Sequence, residues 1–231
     1  MENSVVFWDR KYGRNFLKIT ALMTMLCDHI GCVLLSGEKY EQLYNIMRII
    51  GRISFPLFCF MLVEGFCHTH DKKKYIQRLA VFAVISEIPF DIAFKGKIVD
   101  IYSQNVMWTL LIGFIAMYFI EKYYHIAAAR IFIIITGMTV ALLLNTDYNL
   151  WGVLIISILY LYRNNNAQKL ILMSIALFAQ GQMEAFAVLS IPFILKYDEN
   201  KVEKPMPKYI SYIFYPAHLL MLYMIKIILK V

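Results

Sequence analysis

The sequence predicts an all-α, polytopic helical membrane protein of about nine transmembrane helices, and three observations predict it. Of 231 residues, 60% are hydrophobic and only 17% charged, with 16 Tyr and 16 Phe, more apolar surface than a water-soluble domain of this length can hide. The apolar residues gather into runs of bilayer-spanning length. Lys and Arg fall into short tracts between those runs, so membrane topology accounts for the net charge of +7 better than nucleic-acid binding, which needs one continuous basic face.

A bilayer core of about 30 Å takes roughly 20 helical residues, fewer where a segment is short or re-entrant. By that measure the spans fall at 16–35, 47–67, 76–94, 105–121, 127–145, 149–162, 168–180, 183–197 and 208–229. The sixth to eighth are short. Gly181, flanked by Gln180 and Gln182, reads as a tight external turn or as a break within one element, so eight spans is the alternative. Lys11, Arg14 and Lys18 precede a first apolar stretch with no small-residue cleavage site, which makes it an uncleaved first helix.

Orientation follows from the basic tracts. Arg10, Lys11, Arg14 and Lys18 are separated by two helices from Lys72, Lys73, Lys74 and Arg78, so both groups fit the cytoplasmic side. Nine spans also place the 163–169 and 196–208 connections in the cytoplasm, and the loops around Asp147 and Gln182 outside. Lys204-Pro205-Met206-Pro207 is extended and cannot continue a helix. The expected organisation is a cytoplasmic N-terminal segment, 1–15, and one transmembrane domain, 16–231.

The four cysteines, Cys27, Cys32, Cys59 and Cys67, form neither a CxxC pair nor a disulfide framework and read as packing residues. Glu64 with Cys67-His68-Thr69-His70 imitates a metal site without a second ligand cluster, and no metal is expected.

A charge at mid-bilayer costs roughly 2.5–3.5 kcal/mol on insertion scales, so charged residues inside apolar helices mark a polar interior. Asp28, His29, Arg52, Glu64, Glu87 and Asp91 all fall within or at the ends of the spans. Thr20, Thr24 and Asp28 share a helix face, with His29 about 100° round it. A carboxylate beside an imidazole orients it for general-base work; the alternative is an Asp–Arg structural pair with His29 as a neutral core residue.

Arg48 and Arg52 share a face suited to a phosphate or carboxylate, or else snorkel and balance Asp28. Pro56 should bend their helix. Glu64 and His68 lie one turn apart near its cytoplasmic end. Glu87 and Asp91, four apart across Pro89, supply an acid and a base, bind a cation, or close the helix as an ion pair with Arg48 or Arg52. His218 follows the helix-bending Pro216 in the last span and is the alternative proton-handling group. Gln104 with Asn105, and Asp147-Tyr148-Asn149, suit polar caps, with substrate recognition the alternative.

These motifs, taken in order, resemble the TraX family of conjugative-transfer membrane proteins. The resemblance runs through Thr24-Met25-Leu26-Cys27-Asp28-His29-Ile30-Gly31, then Arg48-Ile49-Ile50-Gly51-Arg52 to Pro56, and Glu64-Gly65-Phe66 with His68-Thr69. It continues in Arg78-Leu79, Ser86-Glu87-Ile88-Pro89-Phe90-Asp91, Gln104-Asn105-Val106 and Phe214-Tyr215-Pro216-Ala217-His218-Leu219-Leu220.

The resemblance implies a multi-pass protein of the bacterial cytoplasmic membrane that acetylates the N-terminus of a conjugative pilin, or another envelope amine or hydroxyl. Acetyl-CoA would be the donor, and the chain would be remotely akin to integral-membrane acyltransferases. On this reading His29, supported by Asp28, is the catalytic base, with His218 as alternative. Arg48, Arg52, Glu64, His68, Glu87, Asp91 and Asn105 bind substrate or donor or balance charge, and the basic rim of Lys72–Lys74 and Arg78 attracts the phosphates of coenzyme A. The partners expected are the lipid bilayer and a pilin or other envelope molecule, with no nucleic acid. A proton-coupled transporter and a non-catalytic assembly protein of a conjugation or secretion apparatus are the competing readings.

Overall fold

The computed structural model describes residues 11–204, 206–207 and 209–229, and of Glu38 the backbone alone. Most of the segment 1–15, Arg10 included, and Pro205 of the 204–207 linker therefore lie outside the described residues. The described residues form mainly helices: α1 Arg14–Leu34, α2 Glu41–Gly51, α3 Ser54–His68, α4 Lys72–Lys95, α5 Val106–Lys122 and α6 Ala127–Leu143. These are followed by α7 Asn149–Leu161, α8 Asn166–Gln180, α9 Gln182–Ala185, α10 Ile191–Leu195 and α11 Ile210–Leu229. Among the described residues, three helical stretches, Arg14–Leu34, Glu41–His68 and Ile210–Leu229, are long and apolar enough to cross a membrane. Ala127–Leu143, Asn149–Leu161 and Gln182–Leu195 are apolar but shorter.

Two expected spans are broken. The 47–67 span starts earlier and is interrupted at Arg52–Ile53, ahead of Pro56, dividing it into α2 and α3. The cause is the proline: Pro56 has no N–H to give the Arg52 carbonyl, and its ring crowds that carbonyl, so the ladder fails one turn upstream of the ring. The 183–197 span is likewise divided into α9, a 3-10 turn at Phe186–Ser190 and α10. Gly181, with φ at 156°, reverses the chain between α8 and α9 in a conformation that a side chain would strain.

α1 packs on α2, α3 and α11; α4 packs on α5 and α11; α7 lies against α3, α5, α6 and α8. α1 and α11 start at the same end, where Asn15 donates to the Glu203 carboxylate and to the Lys204 carbonyl. One continuous core of Leu17, Phe55, Phe66, Phe114, Met117, Ile155, Ile156 and Leu159 joins the helices. The lipid-type exterior is carried by residues such as Phe132, Leu143, Phe178 and Ile228, all more than half exposed.

α1 and α2 pack tightly at Gly51. A Cβ placed on Gly51 would lie 2.3 Å from Asp28 Cβ, so only glycine admits the Asp28 side chain here. Gly51→Ala is expected to destabilise the protein by about 1–3 kcal/mol, the usual cost of overpacking. Thermal unfolding in detergent, against Gly37→Ala as a control in open space, checks this.

Candidate functional site

Asp28, Arg48 and Arg52 are drawn together where α1, the end of α2 and the start of α3 meet. Asp28 is buried, and its two oxygens are taken by separate guanidiniums: Arg48 Nη1 donates to Oδ2 at 2.7 Å and Arg52 Nη2 to Oδ1 at 2.7 Å. Arg48 Nη1 also reaches Cys32 Sγ at 2.8 Å, and Arg52 Nη1 lies 3.5 Å from Glu184 Oε1. Arg52 is buried, sits over the Tyr148 ring at 5.8 Å, and its Nε has no partner among the described residues.

Asp28 therefore does not support His29 as expected. Consecutive side chains on a helix point about 100° apart, and Asp28 turns to the arginines while His29 turns to α11. There His29 Nδ1 and His218 Nε2 are 2.6 Å apart, with the two rings within 4° of parallel. His218 is buried, and its Nδ1 donates to the Phe214 carbonyl at 2.7 Å. Phe94 meets the His29 ring edge-on at 5.2 Å, and Phe214 stacks on His218 at 4.9 Å.

A cavity of about 250 Å³ lies between these groups, walled by Asp28, His29, Cys32, Arg48, Arg52 and Tyr148 on its polar side. Phe55, Phe58, Phe90, Phe94 and Tyr215 close the apolar side, and Met25, Ser54, Lys95, Val106 and Asp147 complete it. Tyr148 is held at φ 62°, with its ring stacked on Phe55 at a centroid distance of 3.6 Å. An imidazole, guanidinium donors and an apolar wall suit proton transfer to or from a small polar group held against a carbon chain.

The remaining candidates sit elsewhere. Glu87 and Asp91 do not pair with Arg48 or Arg52, contrary to one of the expected roles. Glu87 accepts from Asn105 Nδ2 at 2.6 Å and Trp108 Nε1 at 2.7 Å, while Asn105 Nδ2 also donates to the Ala83 carbonyl and Asn105 Oδ1 caps α5 through Met107 N–H. Asp91 Oδ2 accepts the Asp100 backbone N–H at 2.7 Å. The two carboxylates thus fasten the 96–105 loop and the first turn of α5 to α4, taken up by the amide donors of Asp100 and Asn105 and the indole N–H of Trp108. Trp108→Phe removes a donor to a carboxylate and should cost about 1.5–3 kcal/mol, read from thermal unfolding.

Glu64 and His68 lie toward the other end of α3, about 18 and 24 Å along the helix from Arg52, and do not border the cavity. They meet Glu199 instead. The ligating atoms of Glu64, His68 and Glu199 lie within 4.8 Å of one another, a grouping that could hold a metal ion. The basic tract is also remote: Lys72 is about 33 Å along α4 from Phe94, so Lys72–Lys74 and Arg78 form no rim to this cavity. Lys72 instead pairs with Glu121, and Asp71 caps α4 through Lys74 N–H, a bond that holds the Asp71 carboxyl below its usual range. All four cysteines are free, Cys59 buried and Cys67 exposed.

Sequence reasoning missed Cys32, Glu184, Trp108 and the Phe214 carbonyl. Only Cys32 carried a local signal, lying one turn after Asp28 on the same face.

A relative from Dichelobacter nodosus, named as a probable fimbrial assembly protein FimC of serogroup H1, is 28% identical over 243 residues, covering 93% of this chain and 96% of its own. An uncharacterised Rickettsia prowazekii protein, RP591, is 34% identical over 109 residues, 47% of this chain and 38% of its own. No solved structure matches the chain. The family described as TraX protein matches residues 13–226, which takes in α1 to α11 almost entirely, and this chain belongs to the TraX family.

Proposed function

We propose that this protein is an integral-membrane acyltransferase that moves an acetyl group from acetyl-CoA to an acceptor amine or hydroxyl, in the service of a pilus-type appendage. The observation that carries the reading is His29 on the wall of a polar cavity, beside the Arg48–Asp28–Arg52 cluster, inside otherwise apolar helices. The relative's description as a fimbrial assembly protein supports a pilin-related acceptor. The nine-span arrangement, with one domain over 16–231 and the N-terminus in the bacterial cytoplasm, belongs to the same proposal.

At about 250 Å³ the cavity is smaller than the roughly 300–1,000 Å³ of sites that enclose a whole ligand, so it takes the reacting end alone. The acceptor nitrogen or oxygen attacks the thioester carbonyl and His29 Nε2 takes its proton. The tetrahedral adduct then breaks its carbon–sulfur bond, the new amide or ester keeps the acetyl group, and the departing thiolate receives the proton from His29. The donors of Arg48 and Arg52 suit the oxygen on which negative charge develops.

The test is purified protein in oriented vesicles, given radiolabelled acetyl-CoA on one face and candidate acceptors, an N-terminal pilin peptide first, on either face. Acetylated product identified by mass is the expected result. Flux of protons or solute without consumption of acetyl-CoA would establish a transporter instead.

A further inference from the structure

The two histidines are not interchangeable, and the hydrogen-bond chain says which does what. A carbonyl oxygen only accepts, so His218 Nδ1 carries the proton that it gives to Phe214. In the neutral ring His218 Nε2 is then a lone pair. That lone pair faces His29 Nδ1 at 2.6 Å, so His29 must carry its own proton on Nδ1 and donate it. Every step forces the next, and the chain ends with a bare lone pair on His29 Nε2, the remaining nitrogen of a ring that lines the cavity.

We infer that His218 is a positioning residue, whose task is to fix the tautomer and plane of His29 so that His29 Nε2 is the base. Both ring nitrogens of His218 are already engaged, and the residue is 3% exposed, which leaves it no atom for a substrate. Its companions hold it there. Phe214 stacks on the ring at 4.9 Å, and Phe94 and Tyr215 flank His29 at 5.2 and 6.1 Å, so the rings keep their 4° alignment.

When His29 Nε2 accepts a proton, Nδ1–H still points at the His218 lone pair. A neutral imidazole thus fills the place that a carboxylate fills in other histidine sites, orienting the base without adding a charge to an apolar interior. Asp28 has no part in this chain, being committed to Arg48 and Arg52.

The inference rests on the acyl-transfer reading for its chemical meaning, and its test is independent of that reading. Nitrogen NMR of histidine-labelled protein in detergent at neutral pH should show His29 protonated on Nδ1 and bare on Nε2. In His218→Leu that preference should be lost. In His218→Gln, whose side-chain oxygen can accept from His29 Nδ1, it should be retained.

For acetyl transfer, His218→Leu should lower kcat about 10–100-fold with KM little changed, and His218→Gln should recover most of the loss. A resting His29 with its proton on Nε2, or full kcat in a folded His218→Leu protein, would overturn the assignment. If the wild type transfers no acyl group yet shows the Nδ1–H tautomer and loses it in His218→Leu, the acyl-transfer reading falls and the positioning role stands.

Discussion

His29→Gln is expected to lower acetyl transfer by about 10²–10⁴-fold, the span that a positioned general base contributes, while leaving the protein folded and KM near its wild-type value. The size of the loss follows from geometry: His29 is the imidazole whose ring lines the cavity, and no second histidine borders it. Steady-state rates with acetyl-CoA and a peptide acceptor provide the measurement, with thermal unfolding as the control for integrity. A rate within a few-fold of wild type would remove His29 from the chemistry.

Asp28→Asn is expected to have the largest effect on stability. Asp28 is buried and is the shared counter-charge of two guanidiniums, one of them as buried as itself. Removing one member of such a cluster costs about 3–5 kcal/mol, because charges remain buried without compensation. That is a large share of the 5–15 kcal/mol that separates most folded states from unfolded ones, so the variant should lose much of its folded yield in detergent. Arg48→Gln added to Asp28→Asn should recover part of the loss, and the double-mutant cycle gives the coupling directly. Additive effects would mean that Arg48 is held by something other than Asp28.

Much of this protein could be read from its residues. Apart from the divided 47–67 and 183–197 segments, the helices lie within a few residues of where apolar runs place them, since backbone groups facing lipid must bond internally and helix is the economical way to do so. Asp28, His29, Arg48, Arg52 and His218 stood out for the same reason: charge and imidazole in apolar helices need a protein partner.

What the residues left open was which partner each one takes: Asp28 with Arg52 was one of the readings, and the meeting of His29 with His218 was not among them. Asp28 and His29 are neighbours in the chain and diverge in space, whereas His29 and His218 are 189 positions apart and touch. No periodicity within one helix encodes that meeting, which depends on how α1 and α11 pack. Glu87 was misread in the same way. Its partners Asn105 and Trp108 come from the next helix and its cap, and an indole in an apolar run looks like packing until its N–H is seen to point at a carboxylate.

The interruption at Arg52–Ile53 falls at the residue that answers two acids. Arg48 stands in the last turn of α2 and Arg52 is its cap, and both Arg52 and Ile53 keep right-handed helical torsions, so the chain runs on into α3 without changing hand. Pro56 withholds its N–H from the Arg52 carbonyl, so the rung is lost at the cation that meets both Asp28 and Glu184. A change of bend at this step would alter the reach of Arg52 to both acids at once.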